Sequence, residues 1–325
     1  MQCGCPTAND LETARIKKLS SDSRLSASPR VSILTVGYQS QDFIEACFGS
    51  IYAFHDGLDL EVLFVDNGDG TTEALVRERF KQVRIVPSAG NVGFGAGNNR
   101  LAAHARGRYL VLLNPDARFI DDGISRLLEF AAAHPEASIW GGATLDAQLR
   151  PAVADNLRFP TLRTMAMGMF SLGQKAKPGT DRSCREVEVV SGGFLMIDRK
   201  AWDEASGFDE SFFLYSEEVD LMYRLHKSGH KFLATDRAKV VHEVGGADSL
   251  SARRQMYKAI GAMHYIRKHW PSSQALLGGV LLWSDAMRRT LGGRLMAGRS
   301  PRMAKLSNAF APIAYSPWKW WGGYR

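Results

Sequence analysis

The chain predicts an α/β fold, doubly wound around a parallel sheet in its first half, and three observations carry that prediction. Apolar runs without alternation, such as Tyr109-Leu110-Val111-Leu112-Leu113, suit strands covered on both faces by helices. Between these runs, apolar residues recur at helical spacing, as in Phe43, Ile44, Cys47, Phe48 and Ile51. Finally, several runs stop at small polar clusters, Asp66-Asn67-Gly68 and Asn114-Pro115-Asp116 among them, and in such sheets ligands gather beyond the carboxyl ends of the strands.

Residues Met1 to Arg30 are rich in Ser, Asp, Lys and Arg without sustained periodicity, and read as a disordered or peripheral leader. Val31 to Val36 is the first strand, followed by the helix through Ile51 with Ser40 as its N-cap. Leu60 to Val65 is the second strand and ends at Asp66. A helix over Glu73 to Phe80 leads to a strand at Val83 to Val86, then a glycine-rich loop, Gly90 to Gly97, opens a helix near Asn98. Tyr109 to Leu113 follows, and Pro115 ends its ladder by removing a donor.

Beyond Ala133 the regularity loosens. Asp146 to Arg185 reads as a long surface segment over a site, and its Met165, Met167 and Met169 either fill core or touch a ligand. Strand character returns at Val187 to Val190 and Phe194 to Ile197, around Ser191-Gly192-Gly193. Glu217 to Ser228 is a helix that stops at Gly229. From Arg253 the chain is helical and basic, with an apolar run from Leu276 to Trp283 and a Trp318-Lys319-Trp320-Trp321 ending.

With 325 residues, 45% hydrophobic and 23% charged, the chain is globular and long enough for one large domain with an appendage. Its formal net charge of +7 favours an anionic partner. Cys3, Cys5, Cys47 and Cys184 form no CxxC pair, so neither a zinc site nor a disulfide framework is expected, and a reducing cytosol is the default. No apolar stretch reaches the roughly 18 residues of a membrane span, and the start lacks a signal-peptide core.

Tyr38 with Gln39, Asp66 with Asn67, and Asn114 with Asp116 put polar groups at three strand ends, the outline of a nucleotide pocket. Asp66 could accept the imide N–H of a uracil or thymine base, and Asp116 offers a hard oxygen to a cation. The glycine loop is not a dinucleotide fingerprint, because Arg100 stands where the third glycine is needed, and no Gly-Lys-Ser/Thr phosphate loop exists. Glu217, Glu218 and Asp220 could simply complement a helix macrodipole, worth about 0.3–1 kcal/mol. His242, closing the run Lys239-Val240-Val241, is by itself either a structural histidine or a ligand.

The ordered set Val31 to Tyr38, Val65-Asp66-Asn67, Asn91 to Asn99, Leu113 to Asp116, Ser191 to Phe194 and Tyr215 to Asp220 resembles the family-2 inverting glycosyltransferases, in their rhamnosyltransferase-like branch. The resemblance implies a GT-A fold: a mixed sheet with a nucleotide-sugar-binding half (31–120), an acceptor and catalytic half (121–270) and a C-terminal helical appendage (271–325). It implies a donor site lined by Val36, Tyr38, Asp66, Asn67, Asn91, Gly93, Phe94, Asn98, Asn114, Asp116, Gly192 and Gly193. Asp116 and His242 would ligate Mg²⁺ or Mn²⁺. Glu218 stands where the family usually has the aspartate that acts as base; a glutamate is one methylene longer, so Glu217 stays a candidate. Gly37 and Gln39 also depart from the commoner Thr and Asn.

The implied activity is transfer of a sugar, rhamnose from dTDP-rhamnose being the first expectation and a UDP-hexose the alternative, to a glycan or polyprenyl-diphosphate-linked acceptor of a cell-surface polysaccharide. The basic aromatic tail suits an anionic membrane surface, so the expected location is cytoplasmic and peripheral on the inner face of the plasma membrane, against an ordinary helical appendage packed on the domain. A sugar-nucleotide nucleotidyltransferase is a rival, but it lacks its basic glycine loop at Gly37-Tyr38-Gln39-Ser40. A nucleic-acid-binding module rests on net charge alone, and no nucleic-acid partner is expected.

Overall fold

The computed structural model describes residues 30–151, 158–169, 183–242 and 250–324. Among the described residues nine strands form one sheet: Val31–Gly37 (β1), Leu60–Asp66 (β2), Arg84–Ile85 (β3), Tyr109–Leu113 (β4), Ala117–Phe119 (β5), Ala137–Leu145 (β6), Arg185–Glu186 (β7), Phe194–Asp198 (β8) and Lys231–His242 (β9). The order is β3-β2-β1-β4-β8-β6-β9-β5, with β7 also on β9. β3, β2, β1 and β4 run parallel, and β8 joins β4 antiparallel, so the sheet is mixed.

The unbroken apolar runs are explained by what covers them. Ile33, Val62, Phe64 and Val111 pack on one face with Ile44, Phe48 and Ile51 of the helix Ile44–Phe54 (α1) and with Ile124 and Leu127 of Gly123–Ala133 (α4). Their neighbours Leu34, Leu63, Val65, Leu110 and Leu112 face the other way, onto Leu101 of Phe94–His104 (α3), Trp202 of Arg199–Glu204 (α6), and Leu221 and Leu225 of Glu217–Lys227 (α7). Period-two alternation is present but carries no polarity signal, because both sides are core. Thr71–Arg79 (α2) connects β2 to β3.

A third core lies away from the sheet. Leu162–Met169 (α5), Ala252–His269 (α8), Ser272–Met296 (α9) and Pro301–Tyr315 (α10) contribute to it or pack on it, and Phe212, Met263, Tyr265, Ile266, Ile313 and Trp320 form its buried centre. Val219 and Tyr223 of α7 pack against it, which ties this layer to the helix that begins at Glu217.

Several expectations change. β3 is only two residues because it is the edge strand, with Val83 and Val86 flanking it in the core. α3 starts at Phe94 rather than near Asn98, so half of the expected loop is its first turn. Ser40 is not the helix N-cap: its carbonyl accepts from Phe43 and Ile44, while its hydroxyl accepts from Tyr38 N. Pairing occurs at Arg185–Glu186 instead of Val187–Val190, since Val189 and Val190 turn into the core beside Met222.

β6 lies where regularity was expected to fade. Ser138, Gly141 and Gly142 conceal it, yet a Cβ at Gly142 would come within 2.1 Å of the Phe194 ring and one at Gly141 within 2.5 Å of Val190, so the close packing demands glycine. β9 spans 12 residues, not only Lys239 to Val241. Met165 packs on the third core, the filler reading. The leader 1–29, with Cys3 and Cys5, and residues 170–182 of the expected surface segment lie outside the described residues.

The tail also differs from an interfacial aromatic cluster. Trp320 is fully buried and donates through Nε1 to Ile313 O at 2.9 Å, and Trp321 packs against Gly279. Of the three closing tryptophans, Trp318, 68% exposed, is the one that still suits an interface. Aromatic periodicity alone cannot distinguish a ring that meets lipid from one that meets a helix elsewhere in the chain.

Candidate active site

β2, β1 and β4 are parallel neighbours, so their carboxyl ends lie at the same edge of the sheet. Val36 is buried against Gly97 of α3, where a Cβ would meet its methyl at 2.9 Å. Tyr38 is exposed at the rim. Asp66, 1% exposed, accepts from Gly68 N at 2.7 Å and Glu73 N at 3.0 Å, so its carboxylate organises the loop that follows β2.

Asn67 donates from Nδ2 to Gly93 O at 2.9 Å, and its buried Oδ1 has no partner. Asn98 is similar, with Nδ2 donating to Phe94 O at 3.0 Å and Oδ1 unpartnered. Two orphaned amide oxygens beside one glycine loop are expensive in a folded interior unless a ligand engages them. Asn91 stands exposed on that loop.

Gly93 joins this side to the other. It has φ +91°, and a Cβ there would lie 2.1 Å from Phe213 O, while Phe94 N donates to the same carbonyl at 3.1 Å. The donor-side loop is thus seated on the turn that leads to Glu217.

Asn114 N donates to Gly193 O at 3.1 Å, holding the end of β4 against the Gly192-Gly193 turn. A Cβ at Gly192 would touch the Phe94 ring at 3.4 Å and Glu218 Cβ at 3.9 Å. The glycine pair therefore sits between Asn114 and Glu218.

Asp116 and His242 meet because β5 and β9 pair in a register that puts Ala117 opposite His242. Asp116 Oδ1 lies 3.0 Å from His242 Nε2, and about a fifth of each side chain remains exposed. Among the described residues no group of three or more His, Cys, Asp and Glu could hold a metal ion. The two-residue pair still suits a small divalent cation that takes most of its ligands from phosphate and water, and its mixed O and N donors are compatible with Mn²⁺.

Glu217 and Glu218 open α7 after a strained turn, Tyr215 (φ +68°) and Ser216 (φ +74°). Non-glycine residues in the left-handed region are uncommon, and consecutive ones must be held there by surrounding contacts. Glu217 is 3% exposed, and burial followed by the Glu218 charge pushes its carboxyl well above the usual range. Glu218, half-buried, is also raised by burial, against the pull of backbone N–H groups and the Lys258 ammonium. Each keeps an unpartnered Oε2.

Asp220, the third acid of the block, does different work. Burial would raise its pKa, but His269 at 2.7 Å, Lys268 at 2.6 Å and Arg224 at 2.8 Å outweigh it and hold the carboxylate ionised. It clamps α7 to α8.

Sequence reasoning missed what supports the turn. A Cβ at Gly261 of α8 would lie 2.3 Å from Tyr215 O, so the helix backbone presses directly on the strained residue. Tyr324 receives Leu214 N at 3.2 Å and donates to Leu214 O. Nothing in the sequence marks either residue, since each contact spans dozens of positions.

The model of the family "Glycosyl transferase family 2" matches residues 32–204. An N-acetylglucosaminyl-diphospho-decaprenol L-rhamnosyltransferase of Mycobacterium tuberculosis is 31% identical over 56% of this chain and 66% of its own length. The rhamnosyltransferase WbbL of Escherichia coli K12 is 24% identical over 61% of this chain and 78% of its own. The chain thus spans just under two thirds of the mycobacterial relative's length. A solved mannosyltransferase from Pyrobaculum calidifontis, in complex with GDP-Man and Mn²⁺, covers 97% of this chain and 91% of that one with a TM-score of 0.55 at 16% identity, a likeness of fold. With a mixed GT-A sheet, a glycine loop seated on the turn before an acidic helix start, and a family match across more than half its length, the chain belongs to glycosyl transferase family 2.

Proposed function

We propose that the chain is an inverting glycosyltransferase that moves a sugar, rhamnose from dTDP-rhamnose being the first candidate, to a hydroxyl of a polyprenyl-diphosphate-linked glycan. The observation that carries this reading is Glu218: a carboxylate at a rigid helix start, beside Gly192 and Phe94, with an oxygen left unpartnered. In the transfer, the acceptor oxygen forms a bond to the anomeric carbon as the bond to the nucleoside diphosphate breaks on the opposite face, and Glu218 takes the hydroxyl proton. General-base assistance of this kind contributes typically about 10²–10⁴-fold.

The backbone of residues 90–94 and the free amide oxygens of Asn67 and Asn98 would bind the donor, with Asp66 fixing the loop after β2 next to its base. Asp116 and His242 would hold Mg²⁺ or Mn²⁺. When bound, the cation supplies Lewis-acid neutralisation of charge on the departing diphosphate. The similarity to two rhamnosyltransferases supports rhamnose as the sugar, and the mycobacterial one, which acts on a diphospho-decaprenol-linked sugar, supports the acceptor class.

Peripheral attachment to the inner face of an anionic membrane is part of the same proposal. Among the described residues no helix is long and apolar enough to cross a membrane. α9 instead exposes Leu276, Leu277, Val280, Leu291 and Leu295 along its length, close in sequence to Arg288, Arg299 and Arg302. Liposome flotation at low and high salt tests it; equal recovery from neutral and anionic vesicles would count against it.

For the transfer itself, nucleotide sugars are screened for nucleoside diphosphate release with and without Mn²⁺, dTDP-rhamnose first. Metal-dependent turnover of at least one donor is expected. No turnover of any donor would overturn the reading.

A further inference from the structure

α8 begins with an arrangement that helix physics disfavours. Arg254 and Lys258 are four residues apart, so they share one face, where like charges repel. Arg253 adds a third cation next to them. Among the described residues, none of the three takes part in an ion pair, whereas Lys268 farther along the same helix contacts two carboxylates. The Arg254 Nε is buried without a hydrogen-bond partner. A like-charged pair kept on one helix face with no carboxylate within ion-pairing distance is a local rule broken, and such breaks mark functional positions.

These cations look onto the site from the side of the base. The Lys258 ammonium lies 5.5 Å from the centroid of the Tyr215 ring and is close enough to Glu218 for each to alter the other's ionisation. Arg254 lies beside the Tyr215 hydroxyl. Arg253, over the Tyr257 ring at 5.9 Å, lies beside the hydroxyls of Tyr257 and Tyr38 and so spans from the base turn to the end of β1. Ser251 caps the helix and receives Arg254 N at 3.3 Å, which puts the positive end of the helix dipole in the same place. Asp116, just before β5, and His242, at the end of β9, belong to other elements.

We propose that Arg253, Arg254 and Lys258 form a diphosphate subsite for the acceptor, separate from the subsite that holds the donor's diphosphate. The proposal rests on the reading of Glu218 as the base: an acceptor whose hydroxyl reaches Glu218 would carry its own diphosphate past the neighbouring turn of α8. Guanidinium groups recognise phosphoryl oxygens in bidentate fashion and an ammonium adds a point charge, a fitting set for two linked phosphates.

The test is calorimetric binding of inorganic pyrophosphate to the full chain in EDTA, so that no divalent cation contributes. Wild-type protein is expected to bind it saturably, and to keep binding it when dTDP saturates the donor site. The double variant Arg254→Gln/Lys258→Gln should weaken pyrophosphate by at least tenfold, while the charge-preserving Arg254→Lys/Lys258→Arg should stay within about threefold, with unchanged thermal midpoints reporting intact folding. Full displacement of pyrophosphate by dTDP would assign these cations to the donor and overturn the proposal. Absence of saturable binding, or equal loss in the charge-preserving variant, would overturn it as well. Metal-dependent donor hydrolysis is measured on the same wild-type preparation: its absence sinks the transferase reading, whereas the pyrophosphate result judges the subsite alone.

Discussion

The donor side and the C-terminal helical layer build the same site by opposite means. On the proposed donor side the residues sit at strand ends: Asp66 is held by the loop that follows its strand, through Gly68 and Glu73, while Asn114 and Asp116 are held by the sheet itself, at Gly193 before β8 and by the pairing of β5 with β9. On the other side, Glu217 and Glu218 follow a strained turn whose conformation is fixed from outside, by Gly261 of α8 and Tyr324 near the chain end. The first kind of placement comes from the sheet and its loops. The second would make the proposed base depend on residues of the C-terminal layer.

The largest expected effect comes from removing the layer. Truncation before Leu276 deletes Ala286, Ile313, Ala314 and Trp320 from the third core and exposes Phe212, Met263, Tyr265 and Ile266. The truncated protein should lose its cooperative thermal transition, which calorimetry would record. An unchanged transition would mean that residues 276–325 are a detachable appendage, and the comparison would fail.

Gly261→Ala is next. Its Cβ meets backbone rather than a flexible side chain, so Tyr215 must move, and overpacking of this kind costs about 1–3 kcal/mol. The denaturation midpoint should fall, and kcat should fall further than stability alone explains, with nucleotide affinity nearly retained. If nucleotide affinity fell as much as kcat, the distinction between the two sides would be wrong.

Tyr324→Phe removes one hydroxyl that bonds both polar groups of Leu214, a loss of about 0.5–1.5 kcal/mol. A several-fold drop in kcat with unchanged donor KM is expected. Steady-state kinetics at fixed acceptor would reveal it.

The smallest effect carries a sign that is easy to test. Burial and the Glu218 charge raise the Glu217 pKa, so the folded state binds this proton more tightly than the unfolded chain. Stability from this group is complete below the unfolded value of about 4.3 and is lost as pH rises through the folded pKa. Glu217→Gln should therefore raise the thermal midpoint at pH 8 and gain little at pH 4. A gain at pH 4 that vanished at pH 8 would reverse the sign.

The same contrast explains what could be read in advance. The place of Asp66, Asn67, Asn114 and Asp116 at strand ends was legible because a strand run ending at polar residues is a local pattern. His242 closes β9 as its apolar run suggests, and its contact with Asp116 follows from β5 and β9 lying side by side. β6 was not legible, since Gly141 and Gly142 are required by Val190 and Phe194, which lie some fifty residues away in the chain. Trp320 was read as interfacial because its burial depends on how three helices fold back. Arg254 and Lys258 left a signal in their spacing, a like-charged pair on one face. Asp220 read as part of an acidic block, and only the approach of Lys268 and His269 reveals the clamp.

The central claim is that Glu218, positioned by this buttressed turn, takes the acceptor proton. Its most direct test compares Glu218→Gln with Glu217→Gln in pre-steady-state transfer, with donor affinity measured separately by calorimetry. Glu218→Gln should lower the transfer rate by about 10²–10⁴-fold with donor affinity within about twofold of wild type, and Glu217→Gln should lower it far less. A reversed order, or a transfer rate in Glu218→Gln close to that of wild type, would contradict the account.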